Sequence, residues 1–169
     1  MRAVARVTGR AMPLDRRDVD TDQIIASDWL KRVERTGYGA GLFGAWRADP
    51  GFVLNDPQFA GAAILVAGAN FGCGSSREHA AWALEDRGFR AIVAPSFADI
   101  FRSNCMKVGL LPVELPVEDV RAIAQAREAQ VDLAEQEVRW PGGTASFDID
   151  PDIKHRLLNG LDDIALSLQ

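Results

Sequence analysis

The chain has 169 residues, 47% of them hydrophobic and 25% charged, and its 19 basic and 24 acidic side chains leave a formal charge of −5. A chain of about 150 residues buries roughly 68–70% of its unfolded surface, so one α/β domain over 1–169 needs no covalent staple. The composition excludes a disordered chain, and the acidic balance excludes general binding to a phosphate backbone as the main task, so no nucleic acid is expected as partner.

Cys73 and Cys105 are the only cysteines. Two thiols do not make a closed zinc or iron–sulfur site or a disulfide scaffold, so no metal is expected on this chain. The opening Met1-Arg-Ala-Val-Ala-Arg-Val7 has no long apolar stretch before a cleavage site, and no window approaches 18 apolar residues. No membrane span is expected, and a cytoplasmic location is the default.

In chain order, the first 60 residues read as irregular. Short extended pieces are predicted at Val4 to Val7 and Ala11 to Leu14, followed by the acidic turn Asp18-Val-Asp-Thr-Asp22. Glycines at 37, 39, 41 and 44 predict a flexible loop over about 28–45. From Ala62 the pattern sharpens. Apolar runs at Ala62 to Ala67 and Ala91 to Ala94 predict buried strands, and Leu110 to Leu115 a third. Between them, Arg77 to Arg87 predicts a helix stopped by Gly88, and Ser96 is a candidate cap for a second helix to about Val108. A further helix is predicted over Val117 to Gln130, then strands at Val131 to Trp140 and Thr144 to Ile149. The end, 152–169, reads as helical and broken at Gly160. Strand–helix–strand joins of this length imply parallel crossovers flanked by helices.

Chemistry concentrates in Asn70-Phe-Gly-Cys-Gly-Ser-Ser-Arg-Glu-His79, which leaves a predicted strand and opens a helix. Gly72 and Gly74 permit positive φ and close backbone approach. The helix start and the Arg77 guanidinium both favour an anion. There is no Gly-Lys-Ser/Thr phosphate cradle, no third glycine of a dinucleotide fingerprint and no Gly-x-Ser-x-Gly elbow. A small carboxylate ligand remains. Ser75 or Ser76 either caps the helix or, with an alkoxide stabilised by Arg77 and the helix start, takes a proton from carbon. His79 reads as structural and, with Glu78, steadies the loop. Cys73 has no resolving thiol beside it. The Asp18, Asp20, Asp22 alternation lacks the glycine and glutamate of a calcium loop.

These residues, through Ala80, closely resemble the active-site loop of the swivelling β/β/α domain of the aconitase superfamily. Asp18-Val-Asp-Thr-Asp-Gln-Ile-Ile25, Leu30-Lys-Arg-Val-Glu-Arg-Thr-Gly37, Gly88-Phe-Arg-Ala-Ile-Val-Ala-Pro-Ser-Phe-Ala-Asp-Ile-Phe101, Gly109-Leu-Leu-Pro-Val113 and Leu158-Asn-Gly-Leu-Asp-Asp-Ile164 narrow the resemblance to the small subunits of bacterial 3-isopropylmalate dehydratase. The resemblance implies a mixed sheet and a hydro-lyase. It would interconvert 2- and 3-isopropylmalate through 2-isopropylmaleate in leucine biosynthesis. It also implies a large catalytic subunit as partner, carrying a [4Fe-4S] cluster, and a small dicarboxylate as substrate.

Carried over, Ser75 is the general base, Ser76 a substrate hydrogen-bond donor and Arg77 the carboxylate ligand, with Gly74 beside them. Leu30, Lys31 and Arg32 fall where relatives choose between an alkyl and a carboxylate substituent. The chain stops at Gln169, where family members run further past the Leu-Asp-Asp-Ile segment. Two alternatives stay open: a related hydro-lyase acting on homoaconitate, citraconate/methylmalate or dimethylmalate, and a non-catalytic carboxylate-binding module that needs no base at Ser75.

Overall fold

A computed structural model describes residues 2–31, 37–75 and 77–161. Seven strands, β1 (Arg6–Leu14), β2 (Ile64–Ala67), β3 (Ala91–Ala94), β4 (Leu111–Glu114), β5 (Glu128–Asp132), β6 (Glu137–Trp140) and β7 (Gly143–Ser146), join in the order β4-β3-β2-β1-β5-β6-β7. The α-helices among the described residues are α1 (Thr21–Ile24), α2 (Gly44–Arg47), α3 (Glu78–Arg87), α4 (Asp99–Lys107), α5 (Val117–Ala126) and α6 (Pro151–Asn159).

Strand β1 changes partner along its length. Ala11 to Leu14 run parallel to β2, while Arg6 to Arg10 run antiparallel to β5. The mixed α/β sheet expected from sequence is thus a parallel half, in which helical crossovers join β2, β3 and β4, and an antiparallel half, in which tight turns join β5, β6 and β7. In the parallel half both faces are covered. Leu65, Ala67, Ile92 and Ala94 pack under α3 and α4, while Ile64, Val66, Ala91 and Val93 pack with Val120 and Ile123 of α5 and Leu157 of α6. Burial on both faces is why β2 and β3 read as unbroken apolar runs.

Several expected boundaries change. The two extended pieces before Leu14 are one nine-residue strand. The helix expected to Gln130 ends at Ala126. Arg127 turns left-handed (φ 61°), and Glu128 to Gln130 leave the helix to pair with Thr8 to Arg10. The strand expected over Val131 to Trp140 is two, β5 and β6, hinged at a turn where Gln136 has φ 53°.

Ser96 does not cap α4. Ala98 holds that position with no side-chain bond, and the Ser96 hydroxyl instead accepts the Asn70 N–H at 2.8 Å. The helix read from 152 runs through Asn159 to a left-handed Gly160, and residues 162–169 lie outside the described residues.

Within the glycine-rich stretch, short 3-10 turns at Ser27–Lys31 and Tyr38–Gly41 precede α2. Two of its glycines, Gly39 and Gly41, mark close packing. A Cβ on Gly41 would lie 2.4 Å from the Trp29 ring, and one on Gly39 would lie 2.8 Å from the Asp86 carboxylate. Among the described residues no helix is long and apolar enough to cross a membrane.

Candidate active site

Beyond the end of β2 the backbone turns left-handed three times, at Asn70 (φ 59°), Gly72 (φ 83°) and Gly74 (φ 87°). The non-glycine among them is held by its own side chain, since Asn70 Nδ2 donates to Asp18 Oδ1 at 3.0 Å. The loop is stitched to neighbours on both sides. Towards the acidic turn, Gly72 N donates to Val19 O at 2.7 Å and Cys73 O accepts from Thr21 N at 3.0 Å. Towards the segment before α4, Phe71 N donates to Ser96 O at 3.2 Å and Phe71 O accepts from Ala98 N at 3.0 Å. Gly72 is further required by space, because a Cβ there would lie 2.1 Å from Phe101 Cγ. These bonds present Gly74, Ser75 and Arg77 at the carboxyl end of the parallel strands, the ordinary ligand position of such sheets.

A cleft of about 280 Å³ opens there. One wall is Gly72, Gly74, Ser75 and Arg77 with Thr21 of α1, and the other is Ala98 to Phe101 at the start of α4. The Ser75 carbonyl accepts from Thr21 Oγ1 at 2.9 Å and from Arg77 N at 3.0 Å, which fixes its backbone. Its exposed hydroxyl does not cap α3. Arg77 occupies the N-cap with no side-chain bond. The Arg77 guanidinium pairs with Asp22, and its side chain is 24% exposed and lines the cleft. A serine hydroxyl beside a guanidinium and a helix start can carry transient negative charge, and the same guanidinium can hold a carboxylate.

Of the residues singled out from sequence, Gly74, Ser75 and Arg77 meet in this cleft. Leu30 and Lys31 sit in the 3-10 turn Ser27–Lys31 and are not among the cleft-lining residues. Ser76 and Arg32 lie outside the described residues. Glu78 is turned to α4, where Lys107 pairs with it at 3.4 Å. His79 lies between Tyr38 and Trp82, with ring centroids 5.3 and 4.6 Å away, and burial holds its imidazole below the usual value. Sequence reasoning missed the second wall. Ser96-Phe-Ala-Asp-Ile-Phe101 reads from sequence as a helix start and as part of the resemblance, since nothing local tells that it crosses to face Ser75.

This chain's residues do not fit an iron–sulfur cluster, which needs several thiolates. Cys105 is fully buried in the core, and burial keeps its thiol well above the ordinary range. Cys73 is likewise pushed up, first by burial and then by the Asp20 and Asp18 carboxylates. Among the described residues no group of three or more potential ligands converges.

The chain was compared with known proteins. Residues 1–118 match the family model of the aconitase C-terminal domain. The 3-isopropylmalate dehydratase small subunit of Parafrankia sp. (strain EAN1pec) is 59% identical over 175 aligned positions, covering all of this chain and 90% of that protein. Those of Rubrobacter xylanophilus and Streptomyces coelicolor are 57% and 54% identical, covering all of this chain and 90% and 89% of theirs. The solved structure of the 3-isopropylmalate dehydratase from Methanocaldococcus jannaschii superposes with a TM-score of 0.76 at 27% identity, covering 96% of this chain and 93% of that one. The chain belongs to the family of 3-isopropylmalate dehydratase small subunits, built on the aconitase C-terminal domain.

Proposed function

We propose that this chain supplies the proton-transferring and carboxylate-binding half of a 3-isopropylmalate dehydratase, in complex with a large subunit. The observation that carries the reading is one cleft holding both an exposed serine hydroxyl, Ser75, and a guanidinium, Arg77, on a backbone fixed from two sides.

The Arg77 fork takes a carboxylate of a malate-type acid and so places a neighbouring C–H bond beside Ser75 Oγ. The serine oxygen, as alkoxide, accepts that proton. The C–H electron pair becomes the second bond of the alkene, and the hydroxyl leaves the adjacent carbon with its own pair. In the reverse sense the serine returns the proton to carbon. When hydration places the hydroxyl and proton on exchanged carbons, 2-isopropylmalate becomes 3-isopropylmalate through 2-isopropylmaleate. Arg77 and the α3 start lower the energy of the charged serine oxygen.

Activation of the departing hydroxyl falls to the large subunit. The [4Fe-4S] cluster implied by the resemblance is assigned there, because the donor set of this chain does not fit one. Leucine biosynthesis in the cytoplasm is the setting that agrees with this reading.

Reconstitution tests it. Mixed anaerobically with the cluster-loaded large subunit of its own genome, the chain is expected to form the unsaturated acid from 3-isopropylmalate, with either subunit alone inactive. Ser75→Ala is expected to reduce turnover by about 10²–10⁴-fold, the usual worth of a positioned general base, while the substrate still binds. Equal turnover of Ser75→Ala and the unaltered complex would remove the base assignment and favour the binding module. Highest activity on another malate-type acid would keep the mechanism and move the substrate.

A further inference from the structure

The wall of the cleft opposite Ser75 and Arg77 is chemically unlike the first. It consists of Ala98, Asp99, Ile100 and Phe101 at the start of α4. Ile100 is 56% exposed, and Ile100 and Val117 are the exposed large hydrophobic side chains among the described residues. Ile100 therefore offers an apolar surface to a group bound in the cleft, and covering it with an apolar substituent removes that surface from water.

Asp99 is also exposed, has no ion-pair partner among the described residues, and stands in the first turn of α4. A helix start otherwise attracts anions, and a carboxylate in the first turn offsets that attraction. The wall is held at a fixed distance from the proton-transferring loop, because Phe101 packs directly on Gly72 with no room for a Cβ.

We propose that Asp99 and Ile100 are specificity-determining residues that select the substituent carried by the malate skeleton, Ile100 covering an alkyl group and Asp99 repelling a carboxylate in its place. This rests on the reading of the cleft as the dehydratase site. Arg77 engages a carboxylate common to all such acids, so it cannot tell an isopropyl from a carboxymethyl substituent. Discrimination needs a second surface, and this wall offers both parts of one: apolar contact for the right substituent and like charge against the wrong one.

The test uses the reconstituted complex with 3-isopropylmalate, its 3-methyl analogue, and isocitrate, which is malate bearing a carboxymethyl group. In Ile100→Ala, kcat/KM for 3-isopropylmalate is expected to fall about tenfold and that for 3-methylmalate less than about threefold, as for lost methylene contacts. In Asp99→Asn, isocitrate is expected to inhibit 3-isopropylmalate turnover about tenfold more strongly. Assembly with the large subunit is titrated by light scattering, and folding is checked by thermal melting.

Equal losses on both alkyl substrates, or weakened assembly, would overturn the proposal and make Ile100 a subunit contact. An unchanged isocitrate inhibition constant in Asp99→Asn would overturn the charge component. An unaltered complex that is inactive on 3-isopropylmalate would instead sink the dehydratase reading, and this proposal with it.

Discussion

The guanidinium of Arg77 donates through Nη1 to the carboxylate of Asp22, joining two segments 55 residues apart across one rim of the cleft. Asp22 lies in the first turn of α1, whose start is held by reciprocal bonds between Asp20 and Gln23. The acidic turn, which lacks the glycine and glutamate of a calcium loop, therefore orients an arginine. With Nη1 held, the remaining N–H groups of the fork are aimed, and a carboxylate binding there meets a pre-set partner.

Asp22→Asn is accordingly expected to raise KM for 3-isopropylmalate about tenfold, roughly the value of one charge-assisted bond, while kcat changes less than about twofold. Steady-state kinetics of the reconstituted complex separate the two constants. A loss confined to kcat would place Asp22 in the chemistry instead.

Gly72 is constrained twice, by its left-handed backbone and by the Phe101 ring. Gly72→Ala is expected to destabilise the chain by about 2–5 kcal/mol, about 1–2 from the left-handed conformation and about 1–3 from overpacking. Denaturant midpoints of Gly72→Ala with and without Phe101→Leu divide the two contributions. The second change should recover the packing part only.

The sequence revealed the near wall of the site and concealed the far one. Gly74, Ser75 and Arg77 announce themselves because backbone freedom, hydroxyl and guanidinium stand together within four positions, 74 to 77, in the loop that follows a strand. Asp99 and Ile100 reach the same cleft only through the β3 crossover, a tertiary event that local pattern does not encode. The fold shows the same division. Runs buried on both faces, β2 and β3, were legible, whereas Glu128 to Gln130 continued a helical pattern until pairing with β1 overrode it. Neither glycine nor asparagine marks the left-handed stop, which Arg127 supplies. Ser96 misled because the hydroxyl expected on a helix start is taken by the N–H of Asn70.

His79 gives a stability effect with a definite sign. Burial against Tyr38 and Trp82 lowers its pKa from the ordinary 6.5, although Glu78 acts the other way. The unfolded chain therefore takes up a proton at higher pH than the folded one, and stability falls as pH drops from 6.5 towards the folded value. Thermal melts across that window are expected to show the decline, and His79→Gln to lack it. A variant with the same slope would move the titrating group elsewhere.

Asp132 lies where β5 pairs with the start of β1. Its side chain is 5% exposed. Glu135 N donates to Oδ1 at 3.0 Å, and Arg6 reaches Oδ2 at 3.3 Å across the β1–β5 register. The Glu135 N–H first, with Arg6 adding to it, holds the carboxyl below its ordinary 3.8 against the cost of burial. A depressed acid contributes stability that is complete above the unfolded value and disappears as pH falls through the folded one. Asp132→Asn keeps an oxygen for the Glu135 N–H but removes the charge facing Arg6. It is expected to cost about 1–2 kcal/mol at pH 7, the value of a charge-assisted bond. Urea midpoints measured from pH 7 downward should converge for the two proteins once Asp132 is protonated. A gap that persists at acid pH would mean that packing, and not charge, ties β5 to β1 at this point.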